Sequence, residues 1–390
     1  MPQRKPTQLL VLADDFSGAA EIAGIAFAFG LKTRLISRFE VLPDEDVLLI
    51  NTDTRSLAPE KALEQLDSII QDFPLDFNFL VFKKIDSVLR GHIIPEIQLL
   101  QKKLKFKRVF VLPANPSKDR KIISGKYYVR DIPLHQTSFA EDPYFPIRSS
   151  DVTEIISANK IENSYDHLSS GSIIPDSGII SGDVEKAEDL DFYLRQMNKK
   201  DLLCGAADSF SRFLARHFGT EQIVENIIEF RKYQVVLNGS SVKNEAEKTN
   251  LQKADFSMIN CPAHDHSTQI LQFNEWLDKV IILLQEKRKV AVEIPHPVVQ
   301  SRTAANNFLQ IFTILAKFII KNIDPGQIHF WLTGGETAAA VIAGCHAEQL
   351  ELIAQLSPGN VTFKVIDQKN LLITVKPGSY LWPDHLYNLK

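Results

Sequence analysis

The sequence has 390 residues, of which 44% are hydrophobic and 24% are charged. These proportions are near the average for folded globular proteins, so they exclude a disordered or fibrous chain, and at about 100 to 200 residues per domain the length predicts two domains. The formal net charge of -4 offers no broad positive field for a phosphate backbone, which argues against nucleic acid as a partner.

Cysteine usage and hydropathy predict a cytoplasmic protein without a membrane partner. Cys204, Cys261 and Cys345 are odd in number and far apart in sequence, which does not suit a disulfide framework or a cysteine-rich zinc site. The first apolar run, Leu9–Ala13, stops at Asp14, too early for the apolar core of a signal peptide. The sequence has no uninterrupted apolar stretch of about 20 residues, the length that a membrane-spanning helix needs.

The N-terminal part of the chain alternates short buried strands with segments of helical length. The predicted strands are Leu9–Ala13, Thr33–Ile36, Val47–Asn51, Phe79–Lys83 and Val109–Pro113. The predicted helices are Gly18–Gly30, Pro59–Asp72 and Ile93–Leu104. This alternation favours an α/β domain with a mainly parallel sheet and helices on both faces.

The next segment, from Tyr127 to Asp183, is rich in proline and serine and predicts long loops or an insertion. Regularity returns with a strand at Leu202–Gly205 and a helix at Ser209–His217. Residues Glu221–Tyr233 suggest a helical crossing or hinge about which two domains could close. We therefore predict domains at 1–232 and 233–390.

The C-terminal part repeats the alternation and predicts a second α/β domain with a parallel or mixed sheet. Its predicted strands are Val235–Gly239, Met258–Cys261, Val290–Ile294, Ile328–Leu332, Val361–Val365 and Leu371–Val375. Its predicted helices are Thr268–Glu286, Arg302–Lys321 and Glu336–Ala343.

Two adjacent carboxylates, Asp14 and Asp15, stand where the first strand turns into an Ala-rich helix. An Asp at such a junction can accept a proton from a substrate hydroxyl, hold a hydrated metal ion or cap the helix. Ligands of open α/β sheets bind at the carboxyl ends of the strands. The position therefore indicates a candidate site, with simple capping as the alternative that the sequence leaves open.

A second polar cluster follows the fourth predicted strand and contains Lys84, Asp86, Arg90 and Gly91. The planar fork of Arg matches a carboxylate, Lys adds a point charge, and Asp accepts hydrogen bonds from sugar hydroxyls. These residue types suit a small sugar acid. A solvated, salt-bridged loop is the alternative.

A third cluster is the proline loop after the fifth strand, in which Asn115 and Arg120 could face the same anion. The prolines at 113 and 116 restrict its backbone. A purely structural turn explains the same residues.

Glycine-rich turns in the C-terminal half predict a phosphate site. One predicted strand ends in small residues that include Ser240. Another strand is joined to a helix by Gly334, Gly335, Glu336 and Thr337. Glycines let amides approach a ligand, and a helix N-terminus favours an anion. The spacing fits neither a Walker P-loop nor a dinucleotide fingerprint. Gly378 lies in a third such turn.

The histidines at 264 and 266 flank an aspartate, but they lack the further spaced ligands of a zinc site. We therefore assign no metal ligands from the sequence.

Together these windows resemble the four-carbon acid sugar kinase family, whose members phosphorylate threonate, erythronate or 3-oxo-tetronates with ATP. The likeness consists of ordered motifs along nearly the whole chain, which are Asp-Asp-x-Ser-Gly-Ala at 14–19, Lys-Lys-Ile-Asp-Ser-x-Leu-Arg-Gly at 83–91, Pro-Leu-His at 133–135, Gly-Gly-Glu-Thr at 334–337 and Lys-Pro-Gly at 376–378. It implies an N-terminal acid-sugar domain, a C-terminal nucleotide domain and an active-site cleft between them. The residues that depart from the usual family residues are Phe16, Ser17, Val88, His92, Asn115 and Asp119, and several of these positions should border the substrate.

From these residues and the resemblance we expect an ATP- and Mg²⁺-dependent phosphotransferase acting on a hydroxyl, the 4-hydroxyl by preference, of a four-carbon sugar acid. Asp15 is the predicted base, with Asp14 in reserve, and Lys84 and Arg90 are predicted to hold the acid's carboxylate. The implied nucleotide contacts are Ser240, Gly334, Gly335, Glu336, Thr337 and Gly378. The implied substrate contacts also include Ser17, Asp86, Gly91, Asn115 and Arg120.

Two other functions remain open from the sequence. A nicotinamide-dependent oxidoreductase can also use two α/β domains, although the first turn lacks its glycine spacing. A non-catalytic sugar-acid-binding protein could use the same pockets. The sequence leaves open the acid, its stereochemistry, its oxidation at C-3 and whether the chain forms a homodimer.

Overall fold

A computed structural model of the chain has a mixed α/β fold that divides into two units, Met1–Ile223 and Val224–Lys390. The structure describes residues 7–39, 44–74, 78–142, 144–158, 161–162, 164–222, 224, 226, 228–240, 245–262, 270–295, 302–378 and 380–387. The predicted fold class is confirmed. The assignment of substrate and nucleotide to 1–232 and 233–390 stays a prediction.

The N-terminal unit consists of a parallel sheet, a small antiparallel sheet and helices. Its strands are β1 (Leu9–Ala13), β2 (Thr33–Ile36), β3 (Val47–Asn51), β4 (Leu80–Lys84), β5 (Arg108–Leu112), β6 (Arg120–Ile123), β7 (Lys126–Val129), β8 (Ile132–Pro133), β9 (Tyr165–Leu168), β10 (Gly178–Gly182) and β11 (Leu202–Gly205). Its helices are α1 (Phe16–Ala28), α2 (Pro59–Ile70), α3 (Ile93–Leu104), α4 (Val152–Ser157), α5 (Leu190–Gln196) and α6 (Ala207–Phe218).

The parallel sheet runs in the order β2-β3-β1-β4-β11-β5-β10-β9. Every residue of β1 is buried, as expected for a central parallel strand that is covered on both faces. Helix α2 buries Ala62, Leu66 and Ile70, the i, i+4 spacing of an amphipathic helix. The core of this unit therefore lies on both faces of the sheet.

The carboxyl ends of β1, β3 and β4 lie side by side. In the register of the sheet, Ala13 on β1 is opposite Asn51 on β3 and Lys84 on β4. Because all three strands are parallel, the residues that follow these positions emerge at the same edge of the sheet. This edge carries the polar clusters singled out in the sequence.

Between Tyr127 and Asp183 the prediction of long loops is wrong where strands lie in this range, and the alternative of an insertion stays a prediction. Strands β9 and β10 lie in this range and extend the parallel sheet beyond β5. Strands β6, β7 and β8 form the separate antiparallel sheet. The sequence pattern did not predict β9 and β10 because neither has the long apolar run of a central strand. β9 is half-buried throughout, and β10 begins and ends with glycine.

The strands of the C-terminal unit pair in the order β13-β14-β12-β15-β18-β17-β16. Its strands are β12 (Tyr233–Asn238), β13 (Ser257–Asn260), β14 (Lys289–Glu293), β15 (Ile328–Thr333), β16 (Gln349–Ser357), β17 (Asn360–Val365) and β18 (Leu371–Lys376). Its helices are α7 (Glu245–Lys253), α8 (Ile270–Lys287), α9 (Arg302–Asn322), α10 (Gly335–Gly344) and α11 (Asp384–Tyr387). From β13 to β18 the neighbouring strands are parallel, whereas β17 pairs antiparallel with both β18 and β16.

Three elements of this unit were not predicted: β16, α7 and α11. The predicted helical crossing at Glu221–Tyr233 is also wrong for the described residues, none of which is helical before β12 begins at Tyr233. Helix α7 has few apolar residues, and Glu247 and Leu251 are its buried positions. Such a polar helix has no apolar periodicity that a sequence reading could detect.

Helix α9 is long and apolar enough, by length and composition alone, to cross a membrane. No other helix among the described residues passes this test. Its residues Ile311, Phe312, Leu315 and Ile319 are buried, in the i, i+4 pattern of a helix that packs on a core.

Candidate functional site

The candidate site of the N-terminal unit is centred on Arg55, in the loop after β3. Its Nε and Nη2 donate hydrogen bonds to the two carboxylate oxygens of Asp14, at 2.9 and 2.7 Å. Its Nη1 lies 2.9 Å from Oδ2 of Asp15 and 4.0 Å from Oδ1 of Asp86. One guanidinium thus joins the residues that follow β1 to those that follow β4.

Asp14 and Asp15 have different surroundings although they are adjacent. The side chain of Asp14 is 4% exposed, whereas that of Asp15 is 25% exposed. Asp15 is the N-cap of α1 and accepts a hydrogen bond from the Gly18 amide at 3.0 Å. The helix-capping alternative is therefore real for Asp15, and it uses only one of the two carboxylate oxygens.

The two carboxyl groups are also shifted in opposite directions. Burial favours the neutral acid at Asp14, but the charges of Arg55 and Lys83 outweigh it, so the pKa of Asp14 lies below its usual value. At Asp15, burial together with the negative charge of Asp14 outweighs Arg55 and raises the pKa. A carboxylate with a raised pKa is the better proton acceptor of the two.

Asp86 and Arg90 form a bidentate pair. Arg90 Nε and Nη2 donate to the two oxygens of Asp86, each at 2.9 Å, and Nη1 donates to Asp142 at 2.9 Å. The guanidinium also lies 5.1 Å from the centroid of the Phe139 ring. Burial opposes the charge of Asp86, but hydrogen bonds from Arg90 and the charge of Arg55 hold its pKa far below the usual range.

Lys84, the last residue of β4, is buried and lies beside α1. Its Nζ donates to the Ile85 carbonyl at 3.0 Å and is 3.6 Å from Oε2 of Glu21. Ser17 is half-buried in the first turn of α1. Gly91 is close to Arg55, because a Cβ built on it would lie 3.3 Å from both Arg55 Cγ and Asp14 Oδ2.

Asn115 and Arg120 serve different partners in the structure. Oδ1 of Asn115 accepts a hydrogen bond from the Asp208 amide at 3.0 Å, at the start of α6. Arg120 donates to the Ser87 hydroxyl and lies over the Phe139 ring, 5.5 Å from its centroid. Arg120 thus approaches the cluster of Asp86 and Arg90 through Ser87, whereas Asn115 orders the start of a helix.

A fully buried ion pair between β4 and α3 lies next to this edge of the sheet. Nζ of Lys83, on β4, is 2.7 Å from Oε2 of Glu96 on α3, and both side chains are at most 2% exposed. Glu96 also accepts a hydrogen bond from the Thr54 hydroxyl. Thr54 directly precedes Arg55, so the pair fixes the loop that carries the guanidinium.

Arg55 is the residue that sequence reasoning missed. The polar clusters singled out in the sequence follow the first, fourth and fifth strands and do not include the loop after β3, although a long side chain can reach the strand end from four residues away. The available signal was an arginine in the short loop that follows this strand.

A second candidate site lies at the strand ends of the C-terminal unit. In the register, Asn238 on β12 is opposite Thr333 on β15, which in turn is opposite Lys376 on β18. The three turns that follow carry Ser240, Gly334 and Gly378. A Cβ on Gly378 would lie 3.5 Å from the Ser240 hydroxyl oxygen, so the predicted turns come together.

The turn into α10 has the geometry of an anion site. Gly334 is the N-cap of α10 with φ 97, a conformation that favours glycine. Its amide donates to the Lys376 carbonyl at 2.9 Å. Gly335 and Glu336 form the first turn of the helix, where amides face outward, and the side chain of Glu336 is exposed.

Thr337 and Gly239 make a close contact between two of these turns. A Cβ on Gly239 would lie 2.1 Å from Thr337 Oγ1, closer than atoms can approach. Thr337 is buried. Its hydroxyl therefore fixes how near the turn after β12 comes to α10.

Among the described residues, no group of three or more His, Cys, Asp or Glu side chains is arranged to hold a metal ion. His264 and His266 lie outside the described residues. A Mg²⁺ ion carried by nucleotide phosphates takes few protein ligands and keeps several waters. Glu336, exposed at the first turn of α10, offers a carboxylate that fits this limited role.

Two family models match the chain. One is described as a sugar-binding N-terminal domain and matches residues 9–207, and the other as a nucleotide-binding C-terminal domain and matches 242–380. The first model covers the site around Arg55. The second covers the turns that carry Gly334 and Gly378.

Curated relatives are kinases of four-carbon sugar acids. A D-threonate kinase of Salmonella typhimurium is 32% identical over 155 residues, and a D-erythronate kinase of Heliobacterium modesticaldum is 32% identical over 158 residues. These matches cover 38% and 39% of this chain but span only 36% of each relative. A 3-oxo-tetronate kinase of Haemophilus influenzae is 21% identical over 95% of this chain and 96% of its own length.

Solved structures share the fold over nearly the whole chain. A Salmonella typhimurium protein superposes with a TM-score of 0.78 at 16% identity and covers 96% of each chain. A Haemophilus influenzae protein superposes with a TM-score of 0.72 at 18% identity, covering 95% of this chain and 96% of its own. At these identities the likeness concerns the fold.

Proposed function

The chain belongs to the four-carbon acid sugar kinase family, and we propose that it transfers the γ-phosphate of ATP to a hydroxyl of a four-carbon sugar acid. The 4-hydroxyl of threonate, erythronate or a 3-oxo-tetronate is the proposed acceptor. The observation that carries the proposal is the contact of Arg55 with Asp14 and Asp15 at the strand ends. It brings a cation for the acid next to a carboxylate for the hydroxyl.

The acid's carboxylate is proposed to bind Arg55. Arginine has five N–H donors in a planar fork. Two of those of Arg55 go to Asp14 and a third faces Asp15, so a ligand carboxylate can be added without breaking the contact with Asp14. Lys84 supplies the second positive charge. Ser17 and Gly91 border the same space in this proposal.

Arg90 has a different role in the proposal from the one inferred from sequence. Three of its nitrogens already donate to Asp86 and Asp142. It therefore orients Asp86, which keeps its charge and accepts hydrogen bonds from the hydroxyls of the sugar acid. Direct contact of Arg90, Asn115 or Arg120 with the acid stays a prediction.

Asp15 is the proposed general base. One of its oxygens accepts from the Gly18 amide, which fixes the carboxylate, and its partly exposed side chain can reach a ligand. It takes the proton as the substrate hydroxyl attacks the γ-phosphorus and ADP leaves. Asp14 remains charged and holds Arg55 in place. Orientation and charge stabilisation, rather than covalent chemistry, account for the rate.

The nucleotide is proposed to bind at the turns of the C-terminal unit. The amides of Gly335 and Glu336 and the turn at Gly378 would face the phosphates, with Gly334, Ser240 and Thr337 shaping the turns. When bound, Mg²⁺ neutralises charge on the β- and γ-phosphates. Glu336 is the proposed protein ligand through which it would be held.

The test is an ADP-release assay with ATP over the stereoisomers of threonate, erythronate and 3-oxo-tetronate. We expect release with at least one of them, and Arg55→Met should lower kcat/KM for that acid about a hundredfold or more, since it removes a charged, oriented contact. The KM for ATP should change little.

Arg108→Met is the matched control. Arg108 forms the same bidentate pair, with Asp201 at 3.1 and 2.6 Å, but at the opposite end of β5 from the site. Its loss should affect thermal stability and leave kcat/KM nearly unchanged. The absence of ADP release with every acid, or reduction of a nicotinamide cofactor instead, would reject the proposed function.

A further inference from the structure

Lys376, the last residue of β18, carries a buried positive charge in the C-terminal unit. Its side chain is 1% exposed. Its Nζ lies 3.3 Å from Oε2 of Glu247 on α7 and 5.1 Å from the centroid of the Trp382 ring. Burial lowers the pKa of Lys376 despite the opposing charge of Glu247, which reflects how costly an ammonium group is at this position.

The contacts of Lys376 connect the turns that carry the predicted nucleotide residues. Its carbonyl accepts a hydrogen bond from the Gly334 amide at 2.9 Å. Its Nζ donates to the Tyr380 carbonyl at 2.8 Å, across the turn that contains Gly378. The Tyr380 amide in turn donates to the Pro377 carbonyl at 3.1 Å. The side chain of Lys376 thereby closes the turn after its own strand, whereas its backbone carbonyl, which any residue at this position would supply, joins this turn to the one after β15.

A hydrophobic residue could fill this position at lower cost, because replacing a buried ion pair with apolar side chains is often neutral or stabilising. Trp382, whose ring the ammonium group approaches, belongs to an apolar cluster with Trp331, Leu386 and Val236. The ammonium offers what an apolar side chain cannot, a donor for the Tyr380 carbonyl. Its contacts therefore indicate a role in shaping the turn.

We propose that Lys376 is a positioning residue for the phosphates of the nucleotide, because its side chain holds the turn that contains Gly378 and its backbone carbonyl keeps that turn beside Gly334. This inference rests on the proposed function. Lys376 does not itself touch the nucleotide. Glu247 fixes the ammonium, and the ammonium fixes the turn.

The first test compares Lys376→Met with the wild type in steady-state kinetics. The KM for ATP should rise about tenfold or more, the effect of losing one hydrogen bond to a charged group. The KM for the sugar acid should stay within about twofold, and kcat should change less than the KM for ATP, because the reacting groups are untouched.

The double variant Lys376→Met/Glu247→Gln separates positioning from stability. The single variant leaves Glu247 as a buried carboxylate without its cation, so its Tm should fall. The double variant removes that charge, and its Tm should recover, whereas the KM for ATP should remain high because the Tyr380 carbonyl still lacks its donor. If KM and Tm recover together, Lys376 is merely structural and the inference is overturned.

Lys364→Met is the matched control. Lys364 pairs with Glu351 at 2.7 Å between β16 and β17, in the same unit but outside the turns, and its loss should leave the KM for ATP unchanged. Calorimetry with a non-hydrolysable ATP analogue completes the test. If the wild type binds no nucleotide, the proposed function itself is rejected. If the wild type and Lys376→Met bind equally well, only the positioning role of Lys376 is rejected.

Discussion

Asp15→Asn should abolish most turnover without weakening the fold. General bases contribute about 10² to 10⁴ in rate, so we expect kcat to fall by that factor. Asp15 accepts a hydrogen bond from the Gly18 amide at 3.0 Å. The substitution keeps a side-chain oxygen that can accept the same bond. It removes the proton acceptor and one contact with Arg55.

The pKa shifts of the two carboxyl groups predict opposite effects on stability. The pKa of Asp15 is raised by burial and by Asp14, so its stabilising contribution is fully present below the unfolded pKa and is lost as the pH rises through the folded pKa. At neutral pH the charged form is therefore a cost, which Asn removes. The Tm of Asp15→Asn should be unchanged or slightly higher.

Asp14→Asn should be destabilising in contrast. The pKa of Asp14 is lowered by Arg55 and Lys83 against its burial, so its contribution is present above the unfolded pKa and is lost as the pH falls through the folded pKa. Breaking its bidentate contact with Arg55 should cost about 3 kcal/mol. For a unit of this size, each kcal/mol of lost stability lowers Tm by about 2 to 4 °C.

Coupled ADP-release kinetics and thermal unfolding at pH 7 decide between the two carboxylates. Asp15→Asn should lose kcat and keep its Tm, and it should still bind an ATP analogue. Asp14→Asn should lose both activity and stability. A kcat for Asp15→Asn above about a tenth of the wild-type value would refute its assignment as the base, because a base contributes at least about 10².

Three further predictions concern pH, the buried ion pair and the glycine turn. Because burial and Asp14 raise the pKa of Asp15, kcat/KM for the acid should fall on the acid side at a pH above the usual 3.8 of Asp, and a limb at or below that value in a pH-rate profile would contradict this. Lys83→Met should lower the free energy of unfolding by about 3 to 5 kcal/mol, because it leaves the buried carboxylate of Glu96 without its cation. Chemical denaturation should show that Lys83→Met/Glu96→Gln recovers most of this loss. An equal loss in both variants would argue against the ion pair. Gly239→Ala should weaken binding of an ATP analogue in calorimetry about tenfold or more, because its Cβ would meet Thr337 Oγ1 at 2.1 Å. The double variant Gly239→Ala/Thr337→Ala should recover part of the lost affinity. Unchanged affinity in the single variant would show that this turn does not contact the nucleotide.

The sequence predicted the sheet elements that position the sites, because those elements have strong local signals. β1, β2 and β3 have the predicted bounds, and β1 and β3 are short, nearly continuous apolar runs. The strands β9 and β10 lack such runs and are stabilised by pairing with a neighbouring strand, a long-range effect that periodicity does not show.

The same distinction applies to the charged residues. Asp14, Asp15, Lys84 and Asp86 could be singled out from the sequence because each lies at the end of a strand or within two residues after it. The engagement of Arg90 by Asp142 could not, since the two residues are 52 positions apart in sequence and meet only in the folded chain. A sequence reading that counts cations as ligand-binding residues overlooks the carboxylates that already hold them.

The two proposed sites bind anions by different physical means, and this determines which experiments can detect each. Around Arg55 the charges are on side chains, so a single substitution removes a specific charge. Around Gly334 the donors are backbone amides, which no substitution other than one to proline removes. Short of a proline, that site is perturbed through groups that set the backbone, such as Thr337 against Gly239 or Lys376 at the Tyr380 carbonyl. Variants of the first site should therefore change kcat/KM for the acid, whereas variants of the second should act on the KM for ATP through small displacements of a turn.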